Sequence, residues 1–324
     1  MKYIDMHCDT LMLAWMKKQA EIYSQPDMMV DIRRLREGNC KAQFFAIFLP
    51  SPGMKERMGL AQMDDDEYIN HLYGIFTNTW KLHPEEVAPA GCLADIRRNE
   101  QAGKLSAVLT MEDGRSVDGR MEKLEHYYNM GVRVIGLTWN QENCFGAPNS
   151  YDASIMAKGL TGFGKDAIVR MNELGMGVDV SHLSDGGFWD VAKLTKKPFF
   201  ATHSNCRSLN PHPRSMTDDM IRALADKGGV MGVNFCPAFL VQDTENHSAT
   251  CDMLVAQLRH MVNTGGEDCA AVGTDFDGMG GDLEIGSADR MPMLFDAMER
   301  AGFTPRQIEK IAFGNAERVI ADVF

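Results

Sequence analysis

The chain has 324 residues, 44% of them apolar and 24% charged, which is enough to bury a large core in one α/β domain or two small ones. A formal charge of −12 and a pI near 5.2 exclude the basic footprint of a nucleic-acid binder and disfavour an anionic membrane as partner. No apolar run is long enough to span a bilayer. The N-terminus lacks a basic segment followed by an apolar stretch, and residues 319–324 lack the long tail of a lipid-anchor signal, so neither signal is expected. The eight cysteines are scattered and form no Cys-x-x-Cys pair, a pattern of reduced, mostly buried thiols in a cytoplasmic protein. The 24 methionines read as adaptable core filler.

Taken in order, residues 3–6 form a short extended run that ends on His7-Cys8-Asp9-Thr10. On a strand, residues i and i+2 share a face, so His7 and Asp9 project together from its C-terminal end and Cys8 faces away. Residues 11–21 read as a helix, and 30–37 as a short helix stopped by Gly38. Residues 42–49 are continuously apolar and closed by Pro50 and Pro52-Gly53, as in a buried strand. Asp64-Asp65-Asp66-Glu67 opens a long helix, its acids expected to face solvent at the helix N-terminus. The third strand, 105–110, ends on Met111-Glu112-Asp113-Gly114. Residues 121–130 are helical, and the fourth strand, 132–138, ends on Trp139-Asn140. A helix at 162–174 leads to the fifth strand, 176–181, which ends on His182. A helix closing at 190–195 leads to the sixth, 198–202, which ends on His203. Helix 217–227 precedes the seventh strand, 229–234, and helix 252–264 precedes the eighth, 270–274, which ends on Asp275. Helices near 291–301 and 304–320 close the chain.

Strand and helix alternate about eight times without a compositional break, and the strands are apolar on both faces. This predicts a single (β/α)8 TIM-type barrel over residues 1–324. A doubly wound open sheet is the alternative, disfavoured because no Gly-x-Gly-x-x-Gly follows the first strand. In such a barrel the active groups sit where strands end. Those positions hold His7, Asp9, Glu112, His182, His203 and Asp275, three histidines and three carboxylates on one rim. Singly, each has a dull explanation: a hydrogen-bonded histidine, a helix N-terminal acid, a turn cap. Together they predict a metal site. Five good ligands exceed the three of a single catalytic zinc. Two ions about 3.5–4 Å apart need a shared carboxylate, and Glu112, lying between the two groups, is the expected bridge. Nitrogen and carboxylate donors without thiolate favour zinc over manganese or iron.

Over nearly its whole length the chain also resembles the zinc dipeptidases typified by mammalian membrane (renal) dipeptidase. The resemblance is carried by Ile4-Asp5-Met6-His7-Cys8-Asp9-Thr10, Gln43-Phe44-Phe45, Met111-Glu112-Asp113-Gly114, Leu137-Thr138-Trp139-Asn140, Val180-Ser181-His182, Thr202-His203-Ser204-Asn205, Arg214 with Asp218-Asp219, Gly273-Thr274-Asp275-Phe276-Asp277-Gly278 and Gly314-Asn315. It implies that His7 and Asp9 bind one zinc, that His182 and His203 bind the other, and that Glu112 bridges them. Asp275 resembles the family's acid/base group beside the substrate, and Arg214 the residue that holds the substrate's C-terminal carboxylate. A guanidinium suits that task through bidentate recognition; the competing expectation for Arg214 is a surface ion pair with Asp218 or Asp219. The resemblance adds a homodimer as an expectation. One departure stands out: the mammalian enzyme has a histidine where this chain has Trp139, which cannot titrate near neutrality. If that role is needed, a metal ion, Asn140 or Asn143 must supply it. His71, His83, His126, His212, His247 and His260 match nothing and read as surface or structural.

The expected function is therefore hydrolysis of free dipeptides by a metal-bridging hydroxide, with Asp275 moving the proton. An alternative is a related barrel hydrolase acting on a cyclic amide, lactone or phosphoester. Such enzymes often bridge their metals with a carboxylated lysine, and no lysine ends a strand here. A non-catalytic binding protein on a decayed fold is a third reading, opposed by the filled ligand positions.

Overall fold

The computed structural model describes residues 1–59, 62–240 and 248–324. Eight parallel strands form a closed ring: β1 (Tyr3–Cys8), β2 (Cys40–Phe48), β3 (Leu105–Glu112), β4 (Val132–Gly136), β5 (Gly177–Asp179), β6 (Phe200–Ala201), β7 (Val230–Val233) and β8 (Ala270–Val272). Each pairs with the next, and β8 returns to β1 with Asp5 opposite Val272. Closure makes this a (β/α)8 barrel and removes the open-sheet alternative. A short strand, Val87–Pro89, runs beside the first residues of β3, outside the ring.

The apolar strands divide their side chains between two cores. Ile4, Met6, Ala42, Phe44, Val108, Val134, Phe200, Val230 and Ala271 form an inner cluster that takes in Ala316, Val319, Ile320 and Val323 of the last helix, which plugs the barrel end away from the strand tips. Tyr3, Cys8, Phe45, Ile47, Leu109 and Met111 belong to the outer cluster, packed under the helices. Successive strand residues point to opposite faces, so both faces must be apolar. Where β8 passes β6 only glycine fits, because a Cβ on Gly273 would lie 1.8 Å from the Thr202 carbonyl oxygen.

Helix Gly162–Leu174 forms as the sequence predicts, capped by Thr161 and stopped by Gly175 at φ 74°. Helix Thr10–Met16 ends sooner than the expected residue 21, because Lys18 takes a left-handed φ of 57°. The expected helix at 304–320 is divided into Pro305–Glu309, a π-turn at Lys310–Gly314 and Asn315–Val323. Helices Pro52–Arg57 and Leu93–Gln101 were not legible in the sequence; the second buries only Ile96 and Asn99. In the acidic run at 64–67, Asp64, Asp66 and Glu67 are exposed as expected, and Asp65 alone departs. Asp64 caps helix Asp65–Leu82, but Asp65 turns inward to Lys55 Nζ at 2.5 Å and Arg115 Nε at 2.9 Å. Asp66 meets Lys123 and the Tyr127 hydroxyl. The reason is Arg115, which enters just after β3 and needs a carboxylate.

Candidate metal centre

The strand tips are fixed before any ligand is considered. The buried Asp5 carboxylate accepts hydrogen bonds from Thr274 N at 2.8 Å, Thr274 Oγ1 at 2.7 Å and His7 N at 3.3 Å, tying the end of β1 to the residues after β8. His182 and Asp275 both lie in the left-handed region, at φ 68° and 65°. Such strain clusters at functional sites, and here it falls where the chain turns out of the barrel. Gly278 must be glycine, since a Cβ there would come within 1.9 Å of Asp9 Oδ2.

All six predicted rim residues come together. Glu112 lies at their centre: its Oε2 is 3.3 Å from His7 Nε2, while its Oε1 is 3.0 Å from His182 Nε2 and 3.4 Å from His203 Nε2. The two oxygens of one carboxylate thus face two different sets of imidazoles. His7 stacks on His203 with ring centroids 3.7 Å apart. Asp9 Oδ2 and Asp275 Oδ1 are 3.7 and 3.9 Å from His7 Nε2. His7, Asp9, Glu112 and His203 are each at most 4% exposed.

Two further residues set the ring orientations, and a third holds the Asp275 carboxylate. The Thr202 hydroxyl donates to Asp179 Oδ2 at 2.6 Å and lies 2.8 Å from His203 Nδ1. With its proton committed to Asp179, it accepts the Nδ1–H of His203 and leaves the Nε2 lone pair aimed at Glu112. His182 Nδ1 is 3.1 Å from Asn140 Oδ1, which fixes the same tautomer. Asn234 Nδ2 donates to Asp275 Oδ2 at 2.9 Å. Thr202 and Asn140 stand at predicted strand ends but were not expected as partners of the histidines, and Asn234, which ends the seventh predicted strand, is open to the same strand-end rule.

The electrostatics are those of a cation site. Burial pushes the Glu112 carboxyl up to about 7, with Asp9 and Asp275 adding to the effect and His7 opposing it. Burial, together with Asp9, likewise pushes Asp275 up to about 6 against the pull of His7. Burial holds His182 and His203 well below the ordinary imidazole value, assisted by Arg214 and His7, so both are neutral donors. His7 is raised well above its ordinary value: burial works against its charge, but Glu112 and Asp9 overcome it. His7 Nε2 and Asp9 Oδ1 are buried without a hydrogen-bond partner, a cost that a buried polar atom bears only when something else satisfies it. His7, Glu112 and His203 present donor atoms within 4.8 Å of one another, as do His7, Asp9 and Asp275. Hard oxygen and imidazole nitrogen donors in this number fit divalent metal ions.

Arg214 is 5% exposed and donates to Ser204 Oγ at 2.9 Å and the His203 carbonyl at 2.7 Å, while its Nε has no partner. The expected alternative, an ion pair with Asp218 or Asp219, is not formed: Asp218 pairs with His260, and Asp219 with Arg222. His212, which matched nothing in the sequence, accepts from Arg214 N through Nδ1 at 3.1 Å and packs on Phe239 with ring centroids 4.9 Å apart. It holds the loop that carries Arg214. His71, His83, His126 and His260 lie outside the cluster, with His83 stacked on Tyr23, and His247 lies outside the described residues. Asn143 is committed to Asp113 Oδ1 and the Leu137 carbonyl, so it is not free to replace a histidine at position 139.

A cleft of about 220 Å³ opens over the cluster, floored by Asp9, Glu112, His182 and Asp275. Phe48 and Trp139 border it on one side, Cys236 and Phe239 on the other. A larger cavity of about 650 Å³ lies beside Trp15 and Ile75, but it contains none of the six convergent groups, so the chemistry belongs to the smaller cleft. Among the described residues no helix is long and apolar enough to cross a membrane.

Residues 1–323 match the sequence profile of the membrane dipeptidase family, peptidase family M19. An uncharacterized protein of Klebsiella pneumoniae is 38% identical over 238 residues, 71% of this chain and 87% of its own. An uncharacterized dipeptidase of Schizosaccharomyces pombe is 30% identical over 304 residues, 89% of this chain and 71% of its own. The solved structure of a Rhodobacter sphaeroides metallopeptidase, liganded with a phosphinate mimic of the dipeptide L-Ala-D-Ala, superposes with a TM-score of 0.89 at 24% identity, covering 100% of this chain and 99% of that one. That last likeness is one of fold.

Proposed function

From the premise that this chain belongs to the membrane dipeptidase family, M19, and is a metallo-dipeptidase on a (β/α)8 barrel, we propose that it hydrolyses free dipeptides with two zinc ions bridged by Glu112. His7 and Asp9 hold one ion in this reading, and His182 and His203 the other. The observation that carries it is the position of Glu112, whose two oxygens face separate imidazole groups at 3.0–3.4 Å. The unpartnered His7 Nε2 and Asp9 Oδ1 support it.

Bound there, the ions would supply an activated water at neutral pH and polarise the scissile carbonyl. The chain's own groups do the rest. Arg214, buried and with an unpartnered Nε, receives the substrate's terminal carboxylate as a charge-assisted hydrogen bond. That grip close to the cluster restricts the site to short substrates. Asn234 holds Asp275 by Oδ2, leaving Oδ1 to take the proton of the attacking water and deliver it to the leaving amine nitrogen. Thr202 and Asn140 keep His203 and His182 in the donor tautomer throughout. The eight thiols, all among the described residues, are unpaired, which supports a reducing, cytoplasmic setting.

Metal analysis of Glu112→Gln tests the bridge. The expected result is loss of at least one of two bound zinc ions and a fall in hydrolysis of about 10²-fold or more. A variant that keeps both ions and cleaves normally would exclude Glu112 as the bridge.

A further inference from the structure

The cleft has two unlike sides, and the order of strands around the ring sets them apart. Arg214, Cys236 and Phe239 follow β6 and β7, and the Arg214 guanidinium carbon lies 5.8 Å from the Phe239 ring centroid. Phe48 ends β2 and Trp139 follows β4, on the two strands that flank β3, and in a ring of eight β3 stands opposite β7. A dipeptide whose carboxylate is held at Arg214 crosses the metal floor and carries its N-terminal residue to the β2–β4 side.

That side is apolar. Phe48 and Trp139 pack edge to face with centroids 4.9 Å apart and planes at 79°, and Met12 and Met54, on the helices after β1 and β2, also line the cleft. The one polar side chain there, Asn140, turns its oxygen to His182 Nδ1. Among the described residues no charged side chain lines this side apart from the acids of the floor. A charged or strongly polar side chain entering would lose hydration and find no partner, whereas an apolar one would bury its surface against two rings and two thioethers.

We infer that Trp139 and Phe48 form the pocket for the substrate's N-terminal side chain, and that the enzyme's substrate class is dipeptides with a bulky apolar N-terminal residue. The inference rests on the dipeptidase reading above, with the carboxylate at Arg214. It gives the departure at Trp139 a role in selection rather than in chemistry.

The test measures kcat/KM of zinc-loaded protein on Leu-Ala, Phe-Ala, Gly-Ala, Asp-Ala and Lys-Ala. Leu-Ala and Phe-Ala should exceed Gly-Ala by about tenfold and the charged pair by about 10²-fold. In Trp139→Ala the Leu-to-Gly ratio should fall about tenfold; Phe48→Leu, which keeps the site filled, should lower the Phe-to-Gly ratio in the same direction. Phosphinate dipeptide analogues with leucyl-type or glycyl-type N-terminal halves give a binding readout, and the leucyl-type should bind about tenfold tighter to the unaltered protein. Cleavage with a flat profile, a preference for charged N-terminal residues, or a parallel loss on every substrate in Trp139→Ala would overturn this inference and leave the dipeptidase reading standing. No cleavage of any dipeptide by protein that holds two zinc ions would overturn both.

Discussion

Arg214 shows how a single side chain can be read against its surroundings. A guanidinium buried to 5% exposure with no carboxylate partner among the described residues is costly unless an anion arrives, because a buried charge is stable only when paired. Lysine cannot reproduce its planar fork. Arg214→Lys should raise KM for the best dipeptide by about 10-fold or more with a smaller change in kcat. The amidated dipeptide, already lacking the carboxylate, should be indifferent to the substitution; equal losses on both substrates would show that Arg214 acts elsewhere. Thr202 is read the same way. Thr202→Val keeps the shape but removes the link between Asp179 and His203. Zinc affinity, measured by competition with a chelator, should weaken about 10- to 100-fold; unchanged affinity would show that the link does not orient the ring. The six rim residues were legible from strand ends alone, whereas the supporting roles of Thr202, Asn140 and His212 were not. Their signal is a hydrogen bond across strands or loops, which spacing does not encode.

At the scale of elements, the loop after β3 is locked to the two helices after β2. Arg115 donates to Asp65 and Asp113 and to the carbonyls of Leu49 and Pro50, and Lys55 joins it at Asp65. Burial alone would raise the Asp65 carboxyl, but hydrogen bonds from Arg115 and Lys55 hold it below its ordinary value. A carboxylate with a lowered folded pKa adds stability above its unfolded value of about 3.9, and that stability is lost as the pH falls through the folded value. Asp65→Asn should therefore destabilise the protein by about 1 kcal/mol at pH 7 and by progressively less below about pH 4, in denaturant titrations at several pH values. A deficit that persists undiminished in acid would point to packing instead. Long apolar runs such as β2 and capped helices such as Gly162–Leu174 were readable because burial and caps leave compositional marks. Helix Leu93–Gln101 left none, because its one buried apolar side chain, Ile96, makes no periodic stripe.

Across the whole molecule, fold and site were legible for the same reason. A barrel buries both faces of its strands, so most strand residues are apolar, with hydrogen-bonded exceptions such as Asp5 and Gln43, and a polar residue ending an apolar run is a site signal. The unlike sides of the cleft were not legible in that way, because they depend on which loops stand opposite each other once the ring closes. The central claim, a metal-dependent enzyme that reads a free carboxylate at one end of a dipeptide, is tested most directly by one assay. Zinc-loaded protein is offered L-L and L-D dipeptides, with a C-terminally amidated copy of the best substrate and a chelator control. The expected result is cleavage that stops when zinc is removed, returns when it is restored, and falls about 10²-fold or more on amidation. Cleavage that survives the chelator, or that is equally fast on the amidated copy, would contradict it.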